Sequence, residues 1–268
     1  FKKCYYGARF YGLSTGRVYG LVVNGNTFGS DLTSDAVQYY VIYAYYATNP
    51  IISNNILKNV SSTSGSYYGI YCYYGESAVV TNNLVDNINV GSSCYASYFY
   101  SSNNTLIKNN VFSNLRSNST GGYGAFGVYV SSGDADTIVN NVIYNLTSTN
   151  YSATSTSYNP FGIFLSSGNN HKVYFNTVNM YGTQSGTNTS GTLSGAIYIG
   201  SNTGLDIRGN IFVNGLEGLT GSNSFALYFN STVPSGLTLN NNVYYGYGTY
   251  GKLACINGYS GTIYTMAQ

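Results

Sequence analysis

The chain has 268 residues, 43% hydrophobic and only 7% charged, with 33 glycines, 32 tyrosines and no tryptophan. Ten Lys and Arg stand against eight Asp and Glu, a net charge of +2, so no basic surface for nucleic acid and no charge cluster for an anionic membrane is expected. No apolar run reaches membrane length and no leader-like segment is recognisable, which predicts a soluble chain without direct membrane insertion, either a mature product or a fragment.

In chain order, seven segments carry β-branched and aromatic residues at period two: 38–46, 67–74, 95–101, 127–132, 162–167, 195–201 and 226–231. Each gives way to a Gly or Ser break and then a shorter apolar run, so the unit reads strand, turn, strand, loop. No segment has convincing helical periodicity. The short run ends in an asparagine in every unit: Asn26, Asn55, Asn83, Asn110, Asn141, Asn176, Asn210 and Asn242, spaced by 29, 28, 27, 31, 35, 34 and 32 residues. Such a repeat is one supersecondary unit stacked on itself. Parallel pairing of the units predicts an all-β fold, an elongated right-handed parallel β-helix of about eight to nine coils, right-handed being the usual hand of parallel crossovers. A solenoid grows by stacking, so residues 1–268 are expected to form a single domain within a longer multi-domain chain. The variable repeat length falls to loops such as 147–158 and 183–193.

The eight asparagines are expected to form a structural ladder. A second one follows four residues later at Asn59, Asn87, Asn114, Asn145 and Asn214, where the strand should bend into a Ser/Thr-rich loop. Asparagine tolerates the left-handed backbone conformation, and its amide can bond its counterpart one coil away. No catalytic role is expected for either set.

Alignment on the ladder places Tyr43, Tyr71, Tyr98, Tyr129, Phe164 and Tyr198 each twelve residues before their Asn, and Tyr228 joins with a short gap. Their strand neighbours, such as Ile42 and Ala44 or Val128 and Val130, are more apolar, so alternation sends the aromatic column outward. Two residues earlier stand Val41, Gly69, Ala96, Gly127, Gly162, Ala196 and Ala226, expected to form a shallow floor beside the rings. In the early coils Tyr45, Tyr73 and Tyr100 add a second ridge, and a trough between tyrosine rows suits a linear polymer. These rings stand as candidate contacts for a protein or a glycan; the same column is also what a purely structural stacking ladder would leave.

Reactive chemistry is sparse. Of eight carboxylates, Glu76 and Asp134 share a column with Asn103 between them, about 10 Å apart, which is too far for a glycosidase pair. Asp136 and His171 fall in one column of adjacent coils, as do Lys172 and Asp206, and structural pairing is the expected role of both. Neither a metal site nor a cofactor is expected. Cys4, Cys72, Cys94 and Cys255 lack metal-ligand spacing, and Cys72 and Cys94 do not superpose on stacking, so buried thiols are expected. Seven Asn-x-Ser/Thr triplets begin at Asn59, Asn103, Asn118, Asn145, Asn150, Asn188 and Asn230, a number that composition alone can supply.

The repeated Asn-Asn-x-x-x-Asn coils and the closing stretch, from Asn241-Asn242-Val-Tyr-Tyr-Gly to Gly-Tyr-Ser-Gly-Thr-Ile-Tyr-Thr-Met-Ala-Gln268, resemble the right-handed parallel β-helix regions of large Bacteroidota surface proteins. Those leave the cell through the type 9 secretion system. The resemblance implies an extracellular or cell-surface location and a role in adhesion or glycan handling, with partners among other domains of the same chain, a cell-surface protein or a polysaccharide. It transfers no catalytic residue, since the matching motif is scaffold. Two functions are carried forward. One is a non-catalytic adhesin or stalk segment with an aromatic face; the alternative is a polysaccharide-active enzyme of the pectate-lyase-like type, or a degenerate relative.

Overall fold

Three strands rather than two make each coil in the computed structural model, which describes residues 1–149, 152–184 and 191–265. The chain is a parallel β-solenoid of about eight turns, with no α-helix among the described residues. A typical coil runs Tyr67–Tyr73, Val79–Thr81, Leu84–Val90 before entering the next at Cys94–Tyr100. Only Asn82 and Asn83 separate the second strand from the third, which is why the sequence pattern reads straight through that corner as a single apolar run.

Corresponding strands stack in register into three sheets. The first holds nine parallel strands, from Cys4–Tyr11 to Gly251–Ile256, and ends on an antiparallel strand, Thr262–Tyr264. The second stacks eight short strands from Val22–Asn24 to Thr238–Asn240, and the third stacks eight from Thr27–Phe28 to Val243–Gly246. Two first-sheet strands, Phe161–Asn169 and Leu193–Thr203, run past the break expected after residues 167 and 201.

Stacking carries the core from coil to coil. Ile52, Val80, Ile107, Ile138, Val173 and Ile207 form one inner file, all at 0% exposure, and Leu57, Val85, Phe112, Ile143, Val178 and Phe212 form another. Burying each such side chain contributes about 1.5–3 kcal/mol, and repetition along the axis makes the sum large.

The corner between second and third sheets is made by the residue before each ladder asparagine. Gly25, Asn54, Asn82, Asn109, Asn140, Gly209 and Asn241 all lie at φ between 54° and 69°, the region that Gly and Asn enter most readily. Phe175 occupies the same corner at φ 54° and is 63% exposed, so it carries the strain without burying its ring. Replacing Phe175 with Asn is expected to raise stability by about 1 kcal/mol, read as an upward shift in the denaturant midpoint. A fall would mean that the ring's packing over Gly209 outweighs the backbone strain.

Candidate functional site

Each of the six inner ladder amides, Asn55 to Asn210, accepts two hydrogen bonds and donates at least two. Asn110 Oδ1 accepts from the backbone N–H and the Nδ2 of Asn83, both at 2.9 Å, while Asn110 Nδ2 donates to Val80 O at 2.9 Å and Asn141 Oδ1 at 3.0 Å. The same forward pattern links Asn26, Asn55, Asn83, Asn110, Asn141, Asn176, Asn210 and Asn242 in one unbroken file. The six inner members are buried at 0–1% exposure and serve the scaffold. The second asparagines follow expectation at Asn59, Asn87, Asn114 and Asn145, all at φ between 53° and 60°. Asn214 departs: it lies buried within a strand, its amide donating to Ser194 Oγ and Phe225 O at 3.0 Å.

The aromatic column stands outside the coil, because its neighbours Ile42 and Ala44, Ile70 and Cys72, and Val128 and Val130 fill the interior at 0% exposure. The expected floor of small residues does not form. A Cβ on Gly127 would sit 2.6 Å from Ile143 Cγ2, and one on Gly162 would sit 2.3 Å from Val178 Cγ1, so this column points inward at the third sheet. Two successive inward residues, Val41 and Ile42, break the alternation in every coil. The next outward position is therefore three residues before the first column, and rings fill most of it: Tyr40, Tyr68, Tyr95, Phe126, Phe161 and Phe225. A strict period of two hides this second column, although its spacing from the first is constant in the sequence.

The two columns interlock where a trough was expected. Tyr40 and Tyr43 are 4.9 Å apart between centroids, Tyr40 and Tyr68 4.8 Å, Tyr43 and Tyr71 5.1 Å, and Tyr68 and Tyr95 4.9 Å. Beside them runs the expected early ridge, with Tyr45 and Tyr73 at 5.1 Å and Tyr73 and Tyr100 at 4.5 Å. Arg9 continues the first column into the first coil, its guanidinium 5.2 Å from the Tyr6 ring and 5.7 Å from that of Tyr43.

The fold treats the two ends of this face differently. Phe126, Phe161, Phe164, Tyr198, Phe225 and Tyr228 form a second apolar core outside the coil with Leu193 and Cys255, packed by Ile263 of the terminal hairpin. Thr156 stands beside the Tyr198 phenol, and the Tyr259 backbone beside that of Tyr228. Phe164, Tyr198 and Tyr228 are thus at most 5% exposed. Toward the first coil no loop among the described residues covers the rings: Tyr5 and Tyr11 are 55% and 57% exposed, and Tyr45, Tyr73, Tyr98, Tyr100 and Tyr129 are half-buried. Tyr43 and Tyr71 lie largely beneath their neighbours at 9% and 6%. Burial pushes the phenols of Tyr43 and Tyr95 up to about 12, so they remain neutral donors.

The pair Asp136 and His171 lies inside the coil, both side chains at 0% exposure, with Oδ2 3.6 Å from Nδ1. Asp136 N–H donates to His171 Nδ1 at 3.3 Å, which leaves Nε2 as the protonated nitrogen, facing Ser167 O at 3.4 Å. Thr105 N–H donates to Asp136 Oδ1 at 2.8 Å, while Asp136 Oδ2 has no hydrogen-bond partner. Burial raises Asp136 to about 7 and lowers His171, so on the acid side of pH 7 the folded chain holds the carboxyl mostly protonated beside the imidazole.

Because the folded chain holds the Asp136 proton more tightly than the unfolded chain, its contribution to stability is full in acid and is lost as pH rises through about 7. His171 works in the opposite direction, opposing the folded state in acid. Comparing Asp136→Asn with the parent isolates the carboxyl. The variant is expected to gain on the parent by about 1.4 kcal/mol per pH unit from about pH 4, levelling off near 7, in denaturant titrations run across pH. A difference independent of pH would mean that Asp136 is ionised in the folded chain.

Of the remaining charged residues, Lys2 and Lys3 both meet Asp35, at 2.9 and 3.7 Å, and Lys58 meets Asp31 at 2.6 Å, ion pairs that brace the first coils. Lys172 and Asp206 pair in register, but the contacts of Asp206 are Arg208 Nε and the Tyr174 hydroxyl, the latter at 2.7 Å. Asn103 separates Glu76 from Asp134, its Nδ2 donating to Glu76 at 2.9 Å and its Oδ1 accepting from Asp134 N–H at 2.9 Å. Among the described residues no three His, Cys, Asp or Glu side chains gather as metal ligands, and the four cysteines are free thiols. Asn150 and Asn188 lie outside the described residues. No protein-family model, no curated protein and no solved structure matches the chain. No described helix is long and apolar enough to cross a membrane.

Proposed function

We propose that the chain is a non-catalytic extracellular surface module, an adhesin or stalk segment, whose open tyrosine half takes an extended partner, a polysaccharide or a protein. The observation that carries this reading is the division of one aromatic face. Loops and the terminal hairpin cover Phe126, Phe161, Phe164, Tyr198, Phe225 and Tyr228, whereas the tyrosines of the first four coils stack on one another, with Tyr5, Tyr11, Tyr45, Tyr73 and Tyr100 keeping an edge in solvent. Stacked phenols join apolar faces to neutral hydroxyl donors, which matches the C–H faces and hydroxyls of a sugar chain. Successive coils repeat every 4.7–4.9 Å, as parallel strands do, so the contacts recur along a line. The burial of Asp136 and His171 supports the non-catalytic reading, because the one His-carboxyl pair in the chain has no access to a substrate. Export by the type 9 route, in the manner of the Bacteroidota surface proteins that the coils resemble, belongs to the same proposal.

The test is affinity electrophoresis through gels containing xylan, mannan or soluble cellulose, comparing the parent with the double variant Tyr73→Ser, Tyr100→Ser. Retardation by at least one polysaccharide, reduced tenfold or more in the variant, is the expected result. Equal mobility of both proteins in every gel would remove the polysaccharide form of the proposal and leave a protein partner.

A further inference from the structure

A second concave surface lies on the third sheet, away from the aromatic face. Asn87, Asn114 and Asn145 each adopt the left-handed conformation, bending three successive strands at one level. The bends line a groove of about 280 Å3 whose far wall is Gly182 and Thr183. That volume is close to the lower end of small-molecule sites, about 300 Å3. Ile88 and Leu115 turn inward at 0% exposure, so the groove offers amides, hydroxyls and the Arg116 guanidinium, whose Nε donates to Asn118 Oδ1, and no apolar pocket for a side chain.

The amides along this groove form a ladder of their own, and it is broken. Asn87 Nδ2 donates to Asn59 Oδ1 and Asn145 Nδ2 to Asn114 Oδ1, both at 2.7 Å. Between them the chain of bonds is diverted: Asn114 Nδ2 donates to Asp86 Oδ1 at 2.6 Å, and so does Ser113 Oγ. No donor among the described residues therefore reaches Asn87 Oδ1, an exposed acceptor at one end of the groove. Thr147 stands at the other side with its hydroxyl, and Asn89 between them has its carbonyl fixed by Asn118 Nδ2. Acceptors and hydroxyls set along three coils match the hydroxyl groups of a sugar ring.

We infer that this groove is a saccharide-binding site, distinct from the tyrosine face, in which Asn87 Oδ1 and the Thr147 hydroxyl hydrogen-bond ring hydroxyls. A peptide would find backbone partners here but nowhere to place an apolar side chain, so a saccharide is favoured. The site stands whether or not the open tyrosines bind a partner.

The variants that test it are chosen to preserve the fold. Asn87→Gly keeps the left-handed corner while removing the amide, and Thr147→Val keeps the shape of a nearly buried side chain while removing its hydroxyl. The parent and each variant are titrated with cellohexaose, xylohexaose, mannohexaose and the hexamer of N-acetylglucosamine, followed by calorimetry and by amide chemical shifts. The expected result is binding of at least one hexasaccharide, shifts centred on Asn87, Asn114 and Asn145, and about tenfold weaker binding in each variant. Tenfold corresponds to one lost hydrogen bond of about 1.4 kcal/mol. In Tyr73→Ser, Tyr100→Ser the shifts at Asn87, Asn114 and Asn145 should keep the parent's midpoint whatever the tyrosine face binds, which separates the groove from that face. The inference is overturned if no hexasaccharide binds, if binding persists undiminished in Asn87→Gly and Thr147→Val, or if a glycine-rich peptide shifts the same amides while the sugars do not.

Discussion

Replacing Asn110 with Ala is expected to lower the unfolding free energy by about 5 kcal/mol, an effect shared only by the other buried ladder positions among the polar substitutions considered. The substitution strips the acceptor from Asn83 N–H and Asn83 Nδ2 and the donor from Val80 O, all in an interior that water does not reach. Each orphaned buried group costs about 1–3 kcal/mol, so the loss exceeds that of an ordinary hydrogen bond several-fold. The same change at Asn242, half-buried in the last ladder position, is expected to cost about 1–2 kcal/mol because solvent can replace the amide. Asn110→Asp supplies the control. It retains an oxygen for Asn83 but turns a carboxylate toward Val80 O and Asn141 Oδ1, so it should be as damaging as Ala at neutral pH and partly recover in acid. Equal, small losses at Asn110 and Asn242 in denaturant titrations would show that the ladder follows from repetition and contributes little to stability.

Phe161→Ala should cost about 3–5 kcal/mol, and Tyr100→Ser less than about 1 kcal/mol, although both rings project from the first sheet. Phe161 is at 0% exposure with Phe164, Tyr198 and Tyr228 at 5.3, 5.5 and 6.3 Å, so truncation opens a cavity in the outer core that fixed loops cannot fill. Tyr100 stacks on Tyr73 with its other side in solvent, and its removal leaves a surface notch. Thermal or chemical unfolding of the two variants checks the division on which the proposed function rests. If Tyr100→Ser proves as costly as Phe161→Ala, the open rings serve as scaffold and that face has no surface to spare for a partner.

Much of the architecture follows from local text repeated eight times. The asparagine file announces a solenoid because a stack of equal coils is the arrangement in which one amide per coil can satisfy the next. The division of the Asn pair is less legible. Both residues look alike in Asn54-Asn55, and stacking geometry decides that the first takes the positive φ while the second turns inward to bond. Phe175 and Gly209 hold the first position elsewhere, which shows that the corner demands a backbone conformation rather than an asparagine.

The repeat, the parallel stacking, the ladder and the outward placement of the first aromatic column are all legible in the order of residues, because each depends on residues a fixed number of positions apart. The rest comes from packing between coils. The inward bulge at Val41 and its counterparts arises from packing against the third sheet, and it replaced the expected floor with a second column of rings. Which rings stay open depends on where loop 152–160 and the terminal hairpin happen to fold, and no residue within the aromatic columns encodes that. The groove of Asn87, Asn114 and Asn145 likewise needs three bends to align and a fourth coil to wall them in. Such features combine residues from separate coils, so their chemistry exists only once the stack has formed.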